Sequence, residues 1–383
     1  MKKVLIVVGV LIALAIILVV GFLIYAKLNS GDIAAPDDSD LALVIKDIPK
    51  EENSYYDLLS ASQKLYWPED KKDTLDKISN GEEWDEALVA DILAKNKETL
   101  NLFDKTSQLS QFQDPDFVNV IKNSYYDPNA PAGNFYSSLR NLAKLESIEA
   151  NSFFRKKDFK GAISGAIENM RIGNILENSQ DGSPISYLIG MSIKKIGIAN
   201  FGGIIEEAKS SKFNLAPFSG DLENLKVDEK SVAKNILKTS YQYDKVNLDA
   251  TTREIKAVSL AGIYQEVLFS SKISDDSSKS VFYDFLTSPD LLGKSSFYYK
   301  PNETKKLVAD NYRRDIRNIE SGCINIVSEQ GNSKGYNFPV KSIFIKNSVG
   351  KMLADMTDIL HPTIFKKLCE ENAEIDNLIY SIK

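Results

Sequence analysis

The run from Val4 to Tyr25 carries no charge and, up to its closing Tyr25, consists of Leu, Ile and Val broken only by Gly9, Ala13, Ala15, Gly21 and Phe22. As a helix such a run rises roughly 33 Å, enough to cross a hydrocarbon core of about 30 Å. Inside that core every backbone N–H and C=O must pair internally, and a continuous helix satisfies this. Residues 1–28 therefore read as a transmembrane anchor with a short cytoplasmic amino terminus, and the rest must fold as a separate domain. A cleaved signal peptide fits less well, because its apolar region spans about 7–15 residues and ends at a small-x-small site. Here Ala26-Lys27-Leu28-Asn29-Ser30 comes next, with no adjacent Cys for lipid attachment. Lys2 and Lys3 precede the span, whereas Asp32, Asp37, Asp38 and Asp40 come after Lys27. Positive charge stays inside, so a single-pass protein of the cell membrane with an extracytoplasmic C-terminal domain is expected. Gly9 and Ala13 form a small-xxx-small pair that permits close packing of two anchors, although small residues are common in such spans.

Net charge is −6. That argues against nucleic acid, which needs a basic face to neutralise phosphates, and against general adhesion to anionic lipid. The expected partners are the lipid bilayer, through residues 4–25, and an envelope protein or peptide. Residues 29–383 suffice for a sizeable core and two subdomains, and 17 Tyr and 18 Phe mark a folded domain. Cys323 and Cys369 permit one disulfide. Closing that loop contributes on the order of 4 kcal/mol; two buried thiols are the alternative.

Beyond the span the patterning is helical. Residues 29–47 read as a linker, polar and acidic to residue 40, then apolar from Leu41 and able to dock in extended form. Trp84, Leu88 and Ile92 recur at four-residue spacing, followed by Leu100 and Phe103. Asp114-Pro115 and the 127–131 stretch are breakers. Leu139, Leu142, Leu145 and Ile148 mark one face of a helix between Asn134 and Lys157. Helices from Phe159 to Asn178 and from Ser183 to Lys209 come next, the second with Ser183 as N-cap and Pro184 in its first turn. Pro217 and Gly220 suggest a joint, dividing a helical subdomain at 48–215 from a second at 216–383. There, helices are expected over about 228–269, 302–320 and 362–382, with 270–280 a loop. Ile364, Leu368, Ile375, Ile379 and Ile382 stripe the last helix. Pro339 to Ile345 is the best strand candidate. The fold class is mainly α, an N-terminal transmembrane helix followed by an α-helical array or bundle.

Ala150, Phe153, Asp158, Phe159 and Ala162 resemble a tetratricopeptide-type helical hairpin over about 139–173. Asn169 stands where such repeats end in Ala, no Pro closes the unit, and no second copy occurs at the 34-residue period. Three further stretches add a broader resemblance: Ser183-Pro184-Ile185-Ser186-Tyr187-Leu188-Ile189-Gly190, then Lys300-Pro301-Asn302-Glu303-Thr304 with Ala309-Asp310-Asn311-Tyr312-Arg313, and Asn347-Ser348-Val349-Gly350-Lys351. Together these blocks, scattered over roughly 48–365, resemble a group of uncharacterised bacterial single-pass envelope proteins with helical extracytoplasmic domains. The resemblance implies fold and setting. It carries no activity and no catalytic residues.

Asn302 reads as the N-cap of the 302–320 helix, with Glu303 favouring its positive end. Asn302-Glu303-Thr304 also spells a glycosylation sequon, which a bacterial setting discounts. On that helix Val308, Tyr312, Ile316 and Ile319 share one face, while Lys306, Asp310, Arg313 and Arg317 share the opposite one. The charged face is either an Arg-rich patch for a carboxylate or phosphate partner or a solvated face paired within itself, Asp310 with Arg313 or Arg314. The second reading is favoured. His361, the single histidine, reads as a turn residue before Pro362, so no His-based triad is expected. One His and two separated Cys rule out the usual zinc sets. An all-carboxylate Ca²⁺ site stays open, although no Asp-x-Asp-x-Asp-Gly loop occurs. Gly202-Gly203 lacks a following Lys-Ser/Thr; glycines 190, 197 and 202 read as sites of close helix packing. No catalytic, cofactor-binding or metal residue is assigned, and no cofactor is expected.

Two enzyme classes stay open because their demands are unspecific, Ser–Lys hydrolases and two-carboxyl glycosidases. The expectation is an anchored helical domain in an interaction or scaffold role in the cell envelope, with a membrane-tethered hydrolase of peptides or peptidoglycan as the alternative.

Overall fold

In the computed structural model the described residues are 2–123, 132–257, 299–321, 346–347, 350–351, 353–354 and 361–382. Among them all regular structure is helical, apart from one isolated bridge between Asn53 and Gln111. In chain order the helices are α1 (Lys2–Leu28), α2 (Ser54–Lys64), α3 (Lys72–Ser79), α4 (Glu86–Lys95), α5 (Lys97–Ser107), α6 (Pro115–Asn123) and α7 (Ala132–Arg155). They continue with α8 (Phe159–Glu177), α9 (Pro184–Ser210), α10 (Ser219–Glu223), α11 (Glu229–Ala257), α12 (Pro301–Ser321) and α13 (His361–Ile382). Their starts follow capping chemistry. Asn53, Asp85, Asp158 and Ser183 each accept backbone N–H groups at the first turns of α2, α4, α8 and α9. Two ends, after α7 and α9, carry a lysine in the left-handed region, Lys157 (φ 61°) and Lys212 (φ 58°). At each, the next N–H reaches back five residues, Asp158 to Phe153 and Phe213 to Ala208, closing a Schellman motif.

The chain divides into two units, each discontinuous in sequence. The larger holds 42–242, 315–331 and 361–383, the smaller 1–41, 243–314 and 332–360. The larger is organised around α7, α8 and α9. The face of Leu139, Leu142, Leu145 and Ile148 is buried as its spacing predicts. Its first half packs with Tyr55, Leu58 and Phe103, its second with Leu75, Ile78, Val89 and Ile92. On the far side of α8, Ile163, Ala166 and Met170 meet Phe201 and Ile204 of α9 and Ile375 and Ile379 of α13.

α8 and α9 approach through glycines. A Cβ on Gly173 or Gly190 would come 2.6 Å from the other's carbonyl oxygen, and one on Gly197 would come 2.6 Å from that of Ala166. Gly202 differs from the expectation, since nothing lies within 4 Å of a Cβ built there. The stretch read as a joint is also core. Leu215, Phe218, Leu222 and Leu225 pack with α8, α9 and α13, so the chain continues through residue 215 inside one unit.

α9 is long and apolar enough to cross a membrane by length and composition, but 56% of its most apolar window is buried among neighbouring helices, as suits a core helix. In α1, by contrast, Val10, Leu14, Ile16 to Val20, Ile24 and Leu28 are exposed.

In the smaller unit, residues 31–40 are fastened along α12 rather than free. The Asp32 carboxylate accepts from the N–H groups of Asn302 (2.8 Å) and Glu303 (3.1 Å). Asp32, from a distant segment, thus caps α12 in place of Asn302, which lies inside the helix and donates through its amide to the Ile33 carbonyl. Lys300 donates to the Gly31 carbonyl, and Lys245 pairs with Asp38 at 2.6 Å. Cys323, the 270–280 loop and the 339–345 strand lie outside the described residues. Cys369 falls on α13, but its side chain is not among those described, so the disulfide lies outside them too.

Candidate functional site

The charged face of α12 finds its carboxylates within the chain. Lys306 pairs with Asp310 at 2.5 Å, and Arg313 Nη1 lies 3.1 Å from the same carboxylate. Arg313 also forks onto Asp40, Nε to Oδ2 at 2.8 Å and Nη2 to Oδ1 at 2.7 Å, and reaches the Asp37 carbonyl at 2.7 Å. This bidentate geometry is what a guanidinium offers an external carboxylate, and here Asp40 takes it. Lys306, Asp310 and Arg313 are thus brought together; Arg317, one turn on, is exposed.

Two clusters escape sequence reasoning, because each joins residues from separate helices. At the first, Glu177 (α8), Lys194 (α9) and Glu371 (α13) are fully buried. Lys194 Nζ lies 2.8 Å from Glu177 and 2.5 Å from Glu371. Burial pushes the Glu177 carboxyl well up against the pull of Lys194, and the charge of Glu371 adds to it. Burial opposes charge on Lys194, but the two carboxylates more than offset it and raise its pKa. The one signal in the sequence is the pair Lys194-Lys195 inside the apolar run of α9.

The second cluster joins Asp104 of α5, Glu146 of α7 and Glu168 of α8. One carboxylate oxygen from each lies within 4.8 Å of the others. Glu146 is 2% exposed, while Asp104 and Glu168 are half-buried. Glu146 Oε2 and Asp104 Oδ1 are buried without a hydrogen-bond partner. Gly165, one turn before Glu168, makes the room, since a Cβ there would sit 2.7 Å from Glu146 Oε1. Burial, with the charge of Asp104 next, raises Glu146 well above the ordinary carboxylate range and Glu168 to about 7. Burial likewise raises Asp104, which is hydrogen-bonded to Glu168, and Glu149 one turn along α7. The available signal is Glu146 itself, an acid among the buried positions of α7.

One turn further along α5 and α8, a recess of about 280 Å³ opens, with Ser107, Arg171, Asn174, Asn178 and Asp221 on its polar side and Leu109, Ile175 and Leu225 on its apolar side. Arg171 Nη2 meets Asp221 at 2.6 Å across it. The recess offers amide donors and acceptors suited to a peptide or other polar ligand. Buried Lys194 faces carboxylates and Asn174, buried Lys300 faces a carbonyl, and neither bonds a serine.

No family model, no curated protein and no solved structure matches this chain.

Proposed function

We propose that the chain is a single-pass membrane protein, anchored by α1 with its amino terminus in the cytoplasm, whose helical domain binds an envelope protein or peptide outside the membrane. The observation that carries this reading is the continuity between α1 and residues 31–40. A 27-residue helix with exposed apolar side chains leads into a segment that α12 holds through the Asp32 cap and the Arg313–Asp40 fork. An anchor gains from such fastening, because the segment leaving the bilayer is then ordered. The residue blocks resembling bacterial envelope proteins support the same setting. The recess lined by Arg171 and the Asn amides supports the binding role. A photo-crosslinker placed at Asn178 in intact cells tests it. One discrete adduct, lost when Arg171 and Asp221 are both changed to Ala, is expected; labelling no higher than at an arbitrary surface position would contradict it.

A second reading, the membrane-tethered hydrolase, is favoured by one observation, the facing carboxyls of Asp104 and Glu168, hydrogen-bonded and raised in pKa. It requires hydrolysis of a peptide or peptidoglycan substrate that disappears in Glu168→Gln while the fold persists. Equal turnover by that variant would dismiss it.

A further inference from the structure

We infer that Asp104, Glu146 and Glu168 bind a hard divalent cation, with Ca²⁺ the best match in size. Three helices deliver the three carboxylates to one point, with one oxygen of each within 4.8 Å of the others. An acidic cluster alone would say little. What points to a ligand is Glu146, 98% buried, whose Oε2 has no hydrogen-bond partner although its carboxylate is aimed into the cluster. Asp104 Oδ1 is also buried without a hydrogen-bond partner, although the Asp104 carboxyl itself bonds to Glu168. A carboxylate withdrawn from water without a partner is unfavourable, and cation coordination is one of the few ways to satisfy it.

Among the described residues little counter-charge reaches the cluster, where the charge of Arg171 acts on Glu168 without pairing to it. Among the described residues, no lysine or arginine forms a salt bridge to Asp104, Glu146 or Glu168. Arg171, one turn from Glu168, pairs instead with Asp221. The contrast with the other buried acidic site is direct. There Glu177 and Glu371 enclose Lys194, so the fold installs its own cation at one cluster and leaves the other to an outside one. The space is also prepared, because Gly165 is the residue whose missing side chain admits Glu146 Oε1.

The donors select the ion. Three carboxylates without His or Cys suit Ca²⁺, Mg²⁺ or Mn²⁺ rather than a softer metal. Ca²⁺–oxygen distances of about 2.3–2.6 Å let opposed ligands stand up to about 5 Å apart, whereas the about 2.1 Å of Mg²⁺ limits them to about 4 Å. With all three oxygens within 4.8 Å of one another, the larger ion is accommodated without contraction. Asp104 and Glu168 are only half-buried, which leaves an entry path and positions for water ligands.

The test uses the full-length chain in detergent, stripped with EDTA and titrated with CaCl₂, MnCl₂ or MgCl₂ up to about 5 mM by calorimetry and thermal melting. One Ca²⁺ per chain is expected, with a rise in melting temperature that Glu146→Gln abolishes and Asp104→Asn weakens by at least about tenfold in affinity. Glu146→Gln should also melt higher than the stripped wild type, which shows that it folds and that its lost binding is local. Asp104→Asn, at a half-exposed position, provides the second variant. The inference is overturned if none of the three ions gives heat or a melting shift with the wild type, or if both variants bind as the wild type does.

Discussion

At Lys194 a single ammonium holds two buried carboxylates, and its removal should be felt far more than that of either acid. Lys194→Met keeps most of the side-chain volume but leaves Glu177 and Glu371 facing each other without a cation. A loss of about 3–5 kcal/mol is expected, read from equilibrium denaturation. Glu371→Gln should cost less than about 1 kcal/mol, because one acid suffices to pair the lysine. Equal losses in the two variants would show that the lysine does not organise the cluster. These residues also mark where sequence reasoning stops. Periodicity predicts that Leu139 or Ile379 is buried, because apolar side chains declare their own face. Lys194 and Glu146 lie at equally buried positions, but their partners come from other helices, and pairing across helices leaves no trace in local spacing. The charged face of α12 is legible as self-paired. Its bond to Asp40 is not, since that residue lies far away in sequence.

At the scale of elements, the α8–α9 contact and the helix ends make separable expectations. Gly173→Ala would place a methyl 2.6 Å from the Gly190 carbonyl oxygen, so the helices must part and a loss of about 1–3 kcal/mol should result. Gly202→Ala meets open space in the middle of α9 and should instead gain about 0.5–1 kcal/mol. Melting both variants side by side checks the distinction, which composition alone could not make because both glycines sit in apolar helical sequence. The end of α9 gives a third expectation. Lys212 is left-handed and exposed, so Lys212→Gly should stabilise by about 1 kcal/mol. Helix starts are legible where the cap is local, as at Ser183. The start of α12 is not, because Asp32 caps it from outside the helix.

For the molecule as a whole, stability is tied to pH through groups the fold withdraws from water. Burial raises Asp181 from 3.8 to about 6, even though it accepts backbone N–H groups from Asp114 and Ser183. Asp114, itself raised by burial, faces it together with Tyr136. A carboxyl with a raised folded pKa binds its proton more tightly when folded. Its contribution is therefore fully present below about pH 4 and is lost as pH rises through about 6, on the order of 3 kcal/mol. Between those values wild-type stability should fall more steeply with rising pH than that of Asp181→Asn, compared by slope rather than by absolute stability. Parallel slopes would place the titration elsewhere. The mainly α class and most helix boundaries are legible in the sequence, whereas the division into units is not. α13 joins the 42–242 unit from the end of the chain, and a reading in chain order has no means of seeing that return.

The proposal that gives these parts a common purpose is that α1 crosses a membrane and holds residues 29–383 outside it. The most direct measurement places an epitope after Lys383 and adds protease to intact spheroplasts. Loss of the epitope before lysis, with the chain retained in the membrane pellet after alkaline washing, is the expected result. An epitope protected until the cells are broken, or a chain released by the wash, would contradict it.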